Sequence, residues 1–331
     1  MCAAVAEIAS LAREAAAAAA WRQWAALGAP LAVQGGAARA VIDPEALLLV
    51  SGCLRSSERR LDDVLAWWAA AGSGLLSVQR TTTLLRQFPG AREGLVAFAA
   101  EAVKAGDARW ARLAKGADAE TELVSRGKQG GEPRLASPPA LMLRLRAGFG
   151  VGVKADLLAV LLAIEGQTAT VRRLAEATGY TVAAVRRAAD EMVAATFVRR
   201  ESGRPATYHV DRDRWSVMLG ASADSEPTWR FFAQVFAFLA AVEVWGEQQA
   251  ERSPYLASSA ARDMMEAHEA VFRLNRIPFP NSPFRPGESY LDTFAENVAA
   301  ITDWLASTHL QEGRGFLRGI DTTIKREADR D

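Results

Sequence analysis

Side chains suited to acid–base or metal chemistry are few and scattered in this chain. Its three histidines, His209, His268 and His309, lie far apart, and no HExxH pattern or clustered Cys/His spacing for zinc is present. Cys2 and Cys53 are the only cysteines and form no CxxC pair, so neither a disulfide framework nor a structural metal is expected. The stretch GFGVGVK, Gly148 to Lys154, lacks the GxxxxGK[ST] arrangement of a phosphate loop, and AGSGL around Ser73 is not a GxSxG elbow. Asp62 and Asp63 are adjacent, which points them in different directions on a helix and suits a solvated face better than a catalytic pair. The expectation is a protein that is not an enzyme and needs no cofactor. What is concentrated is arginine: Arg172, Arg173, Arg186, Arg187, Arg199, Arg200 and Arg204 fall within one short segment, diluted by Glu176, Asp190, Glu191 and Glu201. Guanidinium groups pair with phosphate and with guanine edges, so the chemistry this clustering suits is recognition of nucleic acid.

Composition bounds the surroundings of that segment. At 331 residues, half of them hydrophobic, the chain can bury a substantial core and divide into two or three domains. Lys and Arg total 39 against 39 Asp and Glu, so any nucleic-acid site must be a local patch. The apolar N-terminal run is interrupted by Glu7, Arg13 and Glu14 and has no basic segment before it. That argues against a signal peptide or a membrane span and, with the sparse cysteines, for a cytoplasmic protein.

Helical signals fill the first part. The alanine-rich run from Ala3 to Leu27 predicts one long helix ended by Gly28 and Pro30. Gly35-Gly36 marks a hairpin turn or a loop. Asp43 caps and Pro44 opens a second helix; Leu61, Val64, Leu65 and Trp68 repeat at helical spacing before Gly72. The segment from Ser77 ends at Pro89-Gly90, and a further helix from Ala91 stops near Gly106. Glycine, proline and charge in Ser125 to Pro139 read as a linker. The division is a helical domain over 1–124, a linker over 125–140, a central domain over 141–215 and a C-terminal helical region over 216–331.

The central segment orders its signals tightly. Leu157, Leu158, Leu161, Leu162 and Ile164 predict a helix stopped by Gly166; a short helix follows with Val171, Leu174 and Ala175 inward, and Gly179 supplies a left-handed corner. Thr181 is placed to cap the next helix, to Ala195, in which Val185, Ala189 and Met192 face the core while Ala183, Arg186, Arg187 and Asp190 face outward. Two strand-like runs around Phe197–Val198 and Tyr208–Val210 flank a loop with Ser202, Gly203 and Pro205. His209, in this hairpin, suits a strand position or a phosphate contact. Through VRRLAEATGYTVAAVRRAADEMVAATFVRR and GRPATYHV, Leu141 to Arg214 resembles the winged helix-turn-helix domain of bacterial transcriptional regulators of the MarR and ArsR type. The resemblance implies a small β-hairpin wing in the central domain and says nothing of the flanks; with the helical signals on both sides, the fold expected is mainly α, a central winged helix-turn-helix domain between all-helical regions. The resemblance also implies that the helix from Thr181 lies in the major groove and that the wing meets phosphate or minor groove. The DNA-binding residues it suggests are Thr170, Arg172, Thr181, Ala183, Arg186, Arg187, Arg199, Arg200 and Arg204.

Beyond it, Trp229, Phe231, Phe232, Phe236, Phe238 and Trp245 stud a helix apolar on nearly every side, which core packing, a ligand pocket or a dimer interface would each explain. An amphipathic helix over Tyr255 to Arg276, an extended connection through Pro278, Pro280, Pro283 and Pro286, a helix from Tyr290 to Leu310 and a charged tail from Gly313 complete the chain. Two functions follow. The first is a homodimeric regulator, a repressor, that reads operator DNA and uses its flanking helices to dimerise or sense a signal. The second is an antitoxin-like or scaffold protein whose winged helix supports a protein partner, with DNA binding only autoregulatory.

Overall fold

The computed structural model describes residues 3–29, 38–117, 123, 130–164, 168–220, 227–280 and 287–307. Over these the chain is mainly helical, with one three-stranded antiparallel sheet. Gly35-Gly36, Gly166, His309 and the charged tail lie outside the described residues.

Helix α1 (Ala3–Leu27) is the alanine-rich helix, followed by Gly28 at φ 104°. Helix α2 (Pro44–Leu54) begins on Asp43, whose carboxylate accepts from the Ala46 amide at 3.1 Å. That satisfies one of the amides a helix start leaves open. Helices α3 (Leu61–Ala71), α4 (Val78–Leu84), α5 (Ala91–Lys104) and α6 (Ala111–Ala114) follow, α4 capped by Ser77 and α3 closed by Gly72. In the centre come α7 (Leu141–Phe149), α8 (Val153–Ala163), β1 (Thr168–Thr170), α9 (Val171–Thr178), α10 (Val182–Ala194), β2 (Arg199–Glu201), β3 (Thr207–His209) and α11 (Arg212–Leu219). The last part holds α12 (Phe232–Gln249), α13 (Pro254–His268), α14 (Ala270–Asn275) and α15 (Tyr290–Ser307).

The sheet order is β1-β3-β2, so the hairpin partner β3 is central and pairs with both neighbours. Strand β1 takes the residues just before α9, where the spacing suggested helix alone. Thr168 and Thr170 are β-branched and fit a pleated surface, and Thr170 then turns cap, its hydroxyl accepting from the Arg173 amide at 3.3 Å.

Two cores form. One joins α1 to α5 with α12, α13 and α15, so the first and last helical stretches pack as a single body. The physical reason is α12: Phe232, Phe236, Phe238 and Val242 are all buried, and a helix apolar all round needs neighbours on every side. Its aromatic surface is thus used inside the chain. Trp229 and Phe231 precede this helix and insert into the second core, where the Trp229 amide donates to the Ala163 carbonyl at 2.7 Å. That second core gathers Leu158, Leu161, Leu174, Val185, Met192 and Tyr208 beneath α8, α9, α10 and the sheet. The amphipathic segment after Pro254 is two helices, broken at Glu269 and ended by Arg276 in a left-handed conformation, φ 53°.

Candidate nucleic-acid interface

Helix α10 is set by its own sequence. Thr181 is its N-cap, the hydroxyl accepting from the Ala184 amide at 3.2 Å, and Gly179 at φ 75° makes the corner after α9. Val185, Ala188, Ala189 and Met192 are buried, which turns Val182, Ala183, Arg186, Arg187, Asp190 and Glu191 outward. Four-residue spacing stands Val182, Arg186 and Asp190 in one row along the helix.

The charges on that face are sorted. Asp190 approaches Arg200 of β2 at 4.0 Å and accepts from the Tyr208 hydroxyl at 3.4 Å. Burial and then Asp190 hold the Tyr208 hydroxyl above its ordinary pKa. Glu191 is paired with Lys154 at the start of α8, 2.7 Å away, and the hydrogen bond from that ammonium draws the carboxyl below its ordinary value. Arg186 and Arg187, by contrast, are exposed and make no hydrogen bond or ion pair among the described residues.

The remaining sequence-derived residues spread around this face. Thr170 is half-buried as the cap of α9. Arg172 is exposed and sits 3.5 Å from Glu176 on its own helix. Arg199 lies on β2, 3.6 Å from Asp211, and Arg204 is exposed in the loop between β2 and β3. Phe197 falls outside the strand and meets Phe149 and Trp215, with ring centroids 6.0 Å apart in each pairing. His209 lies on β3, 3.5 Å from Glu201. Arg186, Arg187 and Ala183 therefore share one helix face, and Arg200 is tied to it through Asp190.

A group of charges that the motifs did not reveal fixes this unit to the helical body. Arg80 of α4 grips Asp43 with two hydrogen bonds of 2.6 Å, pairs with Glu45, and donates through Nε to the Thr178 carbonyl at 2.7 Å. Arg146 of α7 bridges Glu45 and Asp156, the latter at 2.6 and 2.8 Å. Tyr180, in the corner before α10, donates to Asp156 at 2.9 Å. The side chains of the five charged residues are at most 3% exposed. Burial opposes ionisation of Glu45, but Arg146 and then Arg80 overcome it and hold its pKa down to about 2. Burial followed by Asp156 keeps the Tyr180 hydroxyl protonated well above its ordinary range. A hint was present in the sequence: Asp156 is the lone carboxylate of α8, followed only by apolar residues, and such a group must find a cation.

No helix among the described residues is long and apolar enough to cross a membrane, and no His, Cys, Asp and Glu side chains among them group as a metal site. No protein-family model, no curated protein and no solved structure matches the chain.

Proposed function

We propose that the chain is a DNA-binding transcriptional regulator, a repressor, that reads double-stranded DNA with α10 in the major groove and the β2–β3 hairpin as a wing. Binding, not catalysis, is its role in this reading. The observation that supports it is the charge sorting on α10: Glu191 pairs with Lys154 and Asp190 approaches Arg200, whereas Arg186 and Arg187 point outward with no hydrogen bond or ion pair among the described residues. The element order α8-β1-α9-α10-β2-β3 is the order a winged helix-turn-helix requires, and the corner at Gly179 is where its turn would stand.

In this reading the wing supplies affinity without sequence preference, because phosphate contacts carry none. Arg204→Ala should therefore weaken binding to selected and random duplexes alike and make the salt slope shallower by about one unit. Fluorescence anisotropy across a salt series measures this; unchanged affinity and slope would remove Arg204 from the interface.

The regulator reads two half-sites as a homodimer. With α12 buried in the body, the most exposed large apolar side chains among the described residues are on α11, where Val217 is 82% and Met218 68% exposed. Light scattering at micromolar concentration should give twice the chain mass, falling toward the monomer in Val217→Asp. A strictly monomeric chain removes the symmetric-operator arrangement.

A further inference from the structure

The first turn of α10 presents hydrocarbon where a groove-reading helix usually presents polar groups. Thr181 Oγ1 is occupied as the cap, and Val182 and Ala183 follow, both exposed, Val182 to 46%. One turn further, Arg186 stands in the same row as Val182 and Arg187 in the same row as Ala183. A protein partner seated over Val182 would also have to cover Arg186 and Arg187, whose neighbouring acids Asp190 and Glu191 already approach Arg200 and Lys154, and an incompletely paired buried charge is costly. A DNA groove brings its own anions. Among the base edges exposed in the major groove, the apolar group is the C5 methyl of thymine, while Arg pairs with guanine O6 and N7.

Resting on the DNA-binding reading above, we infer that Val182 reads a thymine methyl and that Arg186 reads a guanine next along the groove. Four helical residues advance about 6 Å, close to two base-pair steps of about 3.4 Å each. Each half-site then contains a thymine and a guanine about two base pairs apart, the thymine contacted by the start of α10.

The test selects duplexes from a randomised pool with the full chain, then replaces each selected thymine in turn by deoxyuridine, which lacks only the methyl. One substitution per half-site should weaken binding about fourfold, the worth of one methyl group removed from water. The same substitution should matter little to Val182→Ala, whose exposed position leaves the fold intact, as its circular dichroism will report. Equal binding of thymine and deoxyuridine duplexes by the parent chain overturns the inference, as does a thymine preference that survives in Val182→Ala; in both cases DNA binding itself stands. A chain that selects no duplex at all removes the DNA-binding reading and this inference with it.

Discussion

Arg146→Ala should destabilise the protein by about 3–5 kcal/mol in chemical denaturation, an effect large enough to unfold part of the population at ambient temperature. The guanidinium touches both Glu45 and Asp156 with all of these groups buried, so its removal leaves two carboxylates in the interior with too little positive charge. Arg80 still reaches Glu45, but nothing replaces the pair of hydrogen bonds to Asp156. The energy follows from the orphaned charge, not from the worth of the ion pair: exchanging a whole buried network for apolar side chains is often neutral. A loss below about 1 kcal/mol would mean that water reaches the cluster, as it does at a surface pair. The same cluster sets an acid limit. Glu45 titrates at about 2 in the folded chain, below its ordinary value of 4.5. A carboxylate with a depressed folded pKa contributes stability that is fully present above its unfolded pKa and is lost as pH falls through the folded one. Stability should therefore decline between about pH 4.5 and 2, and Glu45→Gln should flatten that decline while lowering the plateau at neutral pH.

Local chemistry was readable in the sequence wherever it depended on neighbours along the chain. The Asp43 and Thr181 caps, the Gly179 corner and the inward row Val185, Ala189 and Met192 all involve residues a few positions apart. Strand β1 escaped because three residues are too few to display alternation, and its pairing partner β3 comes only after two intervening helices. The buried charges escaped for a related reason: Arg146 meets Glu45 across 101 positions and Arg80 meets the Thr178 carbonyl across 98. Asp43 was legible as a cap, yet its second task, holding Arg80, depends on how α4 packs beside α2. Trp229 and Phe231 look continuous with α12 in composition, but they belong to the other core, a difference that only tertiary packing decides. On α10 the outward arginines were legible from periodicity, whereas the neutralisation of Asp190 and Glu191 was not, since their partners Arg200 and Lys154 come from other elements.

The largest functional effect should come from Arg186 and Arg187. If α10 occupies the major groove, each guanidinium able to pair bidentately with a guanine contributes about 1–3 kcal/mol of discrimination, so losing both should cost the preferred sequence at least about thirtyfold in affinity. Random duplex should lose far less, because Arg199, Arg200 and Arg204 still face phosphate in the proposed pose and non-specific binding depends on charge alone. Stability should be untouched, since neither side chain is buried or bonded within the protein. The direct measurement is the affinity of the parent chain and of the Arg186→Ala/Arg187→Ala variant for a selected duplex and a random one, at one salt concentration, with melting temperatures recorded beside them. A parent that prefers the selected duplex and a variant of equal melting temperature that keeps no more than the few-fold preference due to Val182 is the predicted result. A variant that keeps the parent's preference, or a parent that binds neither duplex, contradicts the assignment of α10 as the reading helix.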